Sequence, residues 1–383
     1  LELRKKSETT KVLILEHDPI TGAIGFRIKD GQATSKWAVT WDGTMTEHRF
    51  QPKAGPYTVQ ALAMSDQGVW TYGDQPAPPT PTDDPYAVTP PRPPTAYTIP
   101  AGAKIIEDGT VAGQTITADT YARHLGGTVI DGNVDFRSGS LHGFKINGNV
   151  LVQNNTTPGI IQDCEIDAKG QGIGIYAYRP DGLVVERCRI SNCTLHAVRA
   201  STNNPTGEII KSLTDLYLRG GNSGGSTDGK QEATLFIGHR VANPILRCDL
   251  DGGYTAALET ANEATDLVFE HLKALNTTGP GTAVYLEHTT TNITFRHFWF
   301  EGMPNATRVL QTEYKANFPD GALHGGLWEY GTCKGGKLGF NFEDAISPHT
   351  RNLKFIGQSV NAIRYLNCTD VQETNNDYSQ SKK

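Results

Sequence analysis

At 383 residues the chain is long enough for two domains and a substantial core. Charged residues make up 20% of it and the formal net charge is −6, so bulk electrostatics give no footprint for nucleic acid. With 41 glycines, 3 methionines and no run of 18 apolar residues, the composition suits short strands and tight turns and excludes a membrane-spanning helix.

The chain opens LELRKKSETTKVLIL, without an initiator Met or the apolar stretch of a signal peptide, which points to a processed product or a piece of a longer chain. Over residues 1–75, KVLILE, AIGFRI, KWAVTWDG, EHRF and YTVQALAM read as short strands separated by turn residues. The stretch WDGTMTEHRFQPKAGPYTVQALA resembles the polycystic-kidney-disease type of immunoglobulin-like domain, through Trp41-Asp42-Gly43, His48, Phe50 and Gly55-x-Tyr57-Thr58-Val59. That resemblance implies a small β-sandwich with Trp41 and Tyr57 in its core, used as a spacer or adhesion unit. Residues 76–100 hold ten of the 21 prolines and read as an extended, semi-rigid linker.

Over residues 101–370 a six-residue pattern recurs, with apolar groups at positions 0, 3 and 5. It runs through LHGFKI (141–146), IQDCEI (161–166), VERCRI (185–190), LTDLYL (213–218), ILRCDL (245–250), FEHLKA (269–274) and FRHFWF (295–300). FIGQSV (355–360) fits less well, and the gap of 60 before it has room for two repeats, with Leu327 as a middle anchor. A unit of twenty-odd residues with loop insertions marks a solenoid. Leu183 and Val185 share one face of a strand, as do Cys188 and Ile190, but the odd step from 185 to 188 breaks the period of two. A corner there keeps both pairs inside. A further apolar strand follows in each unit, as in GIGIYAY, LHAVRAS, TLFIGH, AALET and AVYLEH. Three strands per turn predict an all-β chain with a parallel β-helix after the small sandwich, and a polar tail over 371–383.

At position 3, Cys164, Cys188 and Cys248 alternate with Phe144, Leu216, Leu272 and Phe298, so they read as small buried hydrophobes with reduced thiols rather than zinc ligands. Position 2 carries Asp163, Arg187, Asp215, Arg247, His271 and His297. Position 4 carries Lys145, Glu165, Arg189, Tyr217, Asp249, Lys273 and Trp299. Alternating sign between stacked neighbours describes a solvated charge ladder, whose exposed pairs are worth roughly 0–1 kcal/mol each and protect register and solubility.

The outward column of the second strand differs. After the anchors Ile175, Val198, Ile237, Leu258, Leu286, Leu310 and Phe342 come Tyr176, Arg199, Gly238, Glu259, Glu287, Gln311 and Glu343, with His239 and His288 one residue further on. Glu259 and Glu287 are expected on adjacent coils about 5 Å apart, where they could act as acid and nucleophile of a retaining glycosidase with His288 or Arg199 nearby. The same carboxylates could hold Ca²⁺, or simply solvate an exposed face. Tyr176, His239, Gln311 and Glu343 are the matching candidates for sugar contacts. No other cofactor or metal is expected.

PDGLVVERCRISNCTLHAVRAS and GIIQDCEIDAKGQGIGIYAY resemble, over residues 125–368, the right-handed single-stranded β-helices of the pectate-lyase-like superfamily and of phage tailspikes and minor tail proteins that reuse the fold. The hydrolase branch implies Asn-Thr-Asp, Asp-Asp, Gly-His-Gly and Arg-Ile-Lys elements, none of which occurs here in order. The lyase branch implies an Asp-bound Ca²⁺ and an Arg base, which map to no residues here. The resemblance therefore implies first a phage tail-tip or minor tail protein of the virion, assembled in the bacterial cytoplasm, often trimeric. Its partners would be other tail proteins and a host cell-envelope glycan, with no nucleic acid. The second implication is a polysaccharide lyase or glycoside hydrolase using Glu259 and Glu287.

Overall fold

The computed structural model describes residues 84–94, 97–152, 159–178, 181–201, 209–221, 232–238, 240–261, 264–276, 281–287, 290–312 and 323–382, and before them the backbone of seven strands. The chain divides into Leu1–Thr82 and Asp83–Lys383.

In the first unit, Glu2–Arg4, Val12–His17, Ile24–Asp30, Ala33–Val39 and His48–Gln51 pair antiparallel in chain order. Ala61–Met64 and Trp70–Gly73 form a separate antiparallel pair. Trp41 and Tyr57, the core residues expected of an immunoglobulin-like sandwich, lie outside the described residues.

In the second unit every described pairing is parallel, and no described residue is helical. Each strand pairs with its counterpart one turn later, the pattern of a parallel β-helix. Three walls repeat. One turn, for example, has Ser140–His142 on wall A, Lys145–Asn147 on wall B and Val150–Val152 on wall C. The next turn places Ile160–Gln162, Glu165–Asp167 and Ile173–Ala177 directly against them. Twelve turns run from Lys104–Ile106 to Asp377–Gln380 among the described residues, each stacked about 4.8 Å above the last. The final strands, Gln372–Thr374 and Asp377–Gln380, pair with the turn before them, so the polar terminus continues the solenoid.

The parity break has a backbone cause. Asp163, Arg187, Asp215, Arg247, His271 and His297 all have φ between 50° and 56°, and Tyr330, Asn352 and Asn375 continue the column at 52–54°. A left-handed residue turns the chain through the corner between walls A and B, so positions 0, 3 and 5 all face inward. The conformation costs a non-glycine residue about 1 kcal/mol. It is held because corner amides still find the next turn: Arg187 N–H donates to Thr214 O at 3.0 Å and His271 N–H to Arg296 O at 3.0 Å. In the turn at 140–152 the corner residue is Gly143, at φ 79°.

The interior column follows the predicted register from Leu141 through Ile161, Val185, Leu213, Ile245, Phe269 and Phe295. Beyond that the register corrects the sequence reading. Phe295 pairs with Trp328, not Leu327, and Trp328 with Thr350, so Phe355 occupies position 5 rather than position 0. The repeat is obscured because Gly331 takes position 3, and the Phe298 ring fills the space its side chain would have used. The early turns are lined mainly by aliphatics and cysteines, with Phe136 and Phe144 among them. The later ones form an aromatic stack, with Phe269 over Phe295 at 4.7 Å and Trp328 against Phe342 at 4.8 Å. All six cysteines are free, and all but Cys368 are buried.

From Asp84 onward the proline-rich segment forms a strap along the A/B corner, descending as the turns climb. Pro85 O meets His297 Nδ1 at 3.1 Å and Thr89 N–H donates to His271 Nδ1 at 3.2 Å. Arg92 N–H donates to Asp215 at 2.8 Å, and Tyr97 O–H reaches Ala122 O and His142 O at 2.7 and 3.0 Å.

Candidate functional site

Walls A and B carry the charge ladders in the predicted order. Arg187 pairs with Asp163 at 2.7 Å and Arg247 with Asp215 through two bonds of 2.5 and 2.8 Å. His271, His297 and Tyr330 stack at 5.0 and 5.5 Å. On wall B the column runs Lys145, Glu165, Arg189, Tyr217, Asp249, Lys273 and Trp299, turn by turn. The bonds that strap and corner share leave much of this edge occupied by the protein itself.

Wall C places the candidate residues differently from expectation. The interior anchors are Ile175, Val198, Leu235, Leu258, Val284, Leu310 and Phe340. The outward column is therefore Leu151, Tyr176, Arg199, Phe236, Glu259, Tyr285, Gln311, Asn341 and Arg364. Glu259 faces Tyr285, not Glu287. Thr260 pairs with Leu286, which sets Glu287 two residues further along the strand, a displacement of roughly 7 Å. Glu259 is also 1% exposed and Glu287 8%. The register therefore does not set the two carboxylates opposite one another, and both side chains are buried. His239 and His288 lie outside the described residues.

The others fall into two groups. Arg199 lies 5.8 Å from the Tyr176 ring and 5.2 Å from the Phe236 ring, so three consecutive turns form an aromatic–guanidinium–aromatic stack. Such pairing orients Tyr176, and the nearby Tyr178 ring meets it at 5.8 Å. Higher up, Glu343 accepts from Asn341 at 3.0 Å and pairs with Arg364 at 2.7 Å, an arrangement internal to the wall. Gln311 sits in the column between Tyr285 and Asn341. At the start of wall C, His196 is 1% exposed, with Nδ1 2.7 Å from Ala233 O and its ring 5.5 Å from Phe236. Burial holds its pKa down to about 4, so the imidazole is neutral at pH 7.

Below the stack, the outer surface of the first turns opens into a groove of about 560 Å³. Tyr176, Gln114, Asn133, Asp135 and Asn149 share its lining with apolar side chains such as Leu151, Ile173 and Leu195. Asp135 is the charged group among them, and it accepts from Arg137 Nε at 2.8 Å. Planar amides, one carboxylate and an aromatic edge suit a ligand rich in hydroxyl groups. Gln114, Asn133 and Asp135 escaped the sequence reading because the six-residue pattern is not legible before residue 141, and Asn149 because the wall C strand of its turn, Val150–Val152, is too short to show a period. The echo of GTVAGQTI (109–116) in GTVIDGNVDF (127–136) was the available signal.

Among the described residues, no group of three or more His, Cys, Asp or Glu side chains could hold a metal ion, and no helix is long and apolar enough to cross a membrane. Comparison with protein-family models, with curated proteins and with solved structures gives no match.

Proposed function

We propose that the chain is a bacteriophage tail component whose β-helix offers wall C to a glycan of the bacterial envelope, with the N-terminal unit as connector. The observation that carries the glycan reading is the groove lined by Tyr176. It carries a single charged group, it sets amides beside a larger apolar surface, its aromatic edge is fixed by Arg199, and it lies on the wall away from the strap. A pyranose ring can set its apolar face on Tyr176 while its hydroxyls exchange hydrogen bonds with Asn133, Asp135 and Asn149. The tail assignment rests on the resemblance of residues 125–368 to tail β-helices.

Binding to a panel of purified bacterial lipopolysaccharides, capsules and teichoic acids, read by biolayer interferometry, tests the glycan reading. At least one should bind, and Tyr176→Ala should weaken it by about tenfold. No binding across the panel, or equal binding by the variant, would overturn it. Mass spectrometry of purified virions tests the tail assignment, which fails if the chain is absent from them. The same polysaccharides should show no release of reducing ends or unsaturated products. Turnover abolished by Glu259→Gln would favour the enzyme reading instead.

A further inference from the structure

We infer a second ligand site, for an acidic oligosaccharide, in the seam between the strap and wall B. It lies apart from the Tyr176 groove and does not depend on it. Here Asp84, Tyr86 and Val88 face Lys273, Trp299 and Lys354 across a cavity of about 480 Å³. The strap is tied down on either side of this opening. Pro85 O meets His297 Nδ1 at 3.1 Å and Thr89 N–H donates to His271 Nδ1 at 3.2 Å, so the segment between them bridges the cavity as a fixed rim.

The floor is built as a platform. Trp299 Nε1–H donates to Glu301 at 2.9 Å, and Lys334, itself paired with Glu301 at 2.8 Å, holds its ammonium 5.8 Å from the indole centroid. The indole is therefore fixed at its edge by Glu301 and over its ring by Lys334 while it still lines the cavity. Along the column the order is Lys273, Trp299, Thr332, Lys354. One lysine thus lies one turn below the indole and the other two turns above it, roughly 5 and 10 Å along the axis. Lys273 is 41% exposed, and its carboxylate neighbour Asp249 is 3.8 Å away, too far to saturate the ammonium.

A flat apolar floor between two separated cations fits a pyranose face on Trp299 with carboxylates reaching Lys273 or Lys354. A compact phosphate would need its cations converging on one point, which this spacing denies. Asp84 on the rim can accept from sugar hydroxyls, and Tyr86 closes the apolar side.

The test uses the full chain with methyl glucuronide and methyl glucoside, which share a ring face and differ by one carboxylate, each titrated by ligand-observed NMR. Glucuronide should bind about tenfold more tightly than glucoside, the difference one charge-assisted contact makes. Trp299→Ala should abolish binding of both, the double variant Lys273→Gln with Lys354→Gln should bring glucuronide down towards glucoside, and Tyr176→Ala should change neither. Both lysines are partly exposed, so the double variant keeps the fold and decides the matter should Trp299→Ala unfold. Failure of the glucuronide to bind, equal affinity for the two sugars, or an unchanged preference in the double lysine variant would overturn the assignment.

Discussion

Replacing Gly331 with alanine probes the interior column where the repeat becomes hardest to read. A Cβ at this position would lie 2.2–2.4 Å from three carbons of the Phe298 ring, and both residues sit in the interior, Phe298 fully buried. Ordinary carbon contacts are about 3.5–4.0 Å, so the ring must retreat by roughly 1 Å into a core already filled by Phe300 at 4.3 Å. Overpacking of this kind costs about 1–3 kcal/mol, and the short distances place Gly331→Ala in the upper half, near 2 kcal/mol. The melting temperature of the β-helix should fall by roughly 4–8 °C. Shortening the obstructing ring in the double variant Gly331→Ala with Phe298→Leu should recover more than half of the loss, a coupling that urea unfolding of the four proteins can measure. A Gly331→Ala protein as stable as the parent would refute the packing, as would a double variant no better than the sum of its parts.

Three further outcomes follow from buried groups. His196 and His142 are both held down to about 4, each chiefly by burial, so the folded chain binds fewer protons than the unfolded one at mildly acid pH. Their contribution is complete above the unfolded value near 6.5 and drains away as the pH falls towards 4, by at most roughly 3 kcal/mol for His196. Urea titrations from pH 7.5 to about 4 should show that slope, and His196→Gln should flatten it. Asp215→Ala would leave the Arg247 guanidinium, 8% exposed, without its carboxylate and the strap amide of Arg92 without its acceptor. A loss of about 3–5 kcal/mol is expected by urea unfolding, far above that of a surface pair. The buried thiols of Cys193 and Cys248 are pushed up to about 12, so native alkylation followed by mass spectrometry should label Cys368 alone, and all six cysteines only after unfolding.

The sequence made the A/B corner legible because the odd step between positions 0 and 3 occurs only where a left-handed residue turns the chain. Every residue assigned to positions 2, 3 and 4 between 141 and 300 stands in its expected column, but the ladder is not solvated throughout: Asp163, Arg187, Asp215 and Arg247 are at most 12% exposed, and the strap lies against Asp215. Wall C was legible in sidedness but not in register. A period of two separates inward from outward, yet a shift of two residues leaves that pattern unchanged. Ile237, Leu286 and Phe342 face inward as expected, but their turns align through Leu235, Val284 and Phe340. Variable connections, such as those between Gly220 and Ala233 or Asn276 and Thr282, carry no register of their own. That shift of two separated Glu259 from Glu287. The groove was missed for a different reason: Asn133 and Asp135 lie on an early turn whose corner does not follow the six-residue spacing, and Asn149 precedes a wall C strand of only three residues, so no column pointed to them.

The most direct measurement is a crystal structure of the chain soaked with the tightest-binding oligosaccharide from the polysaccharide panel. The account predicts a sugar ring against Tyr176, with hydroxyls at Asn133, Asp135 or Asn149 in the wall C groove. Sugar bound on wall A, or at the ends of the solenoid with the Tyr176 groove empty, would contradict it.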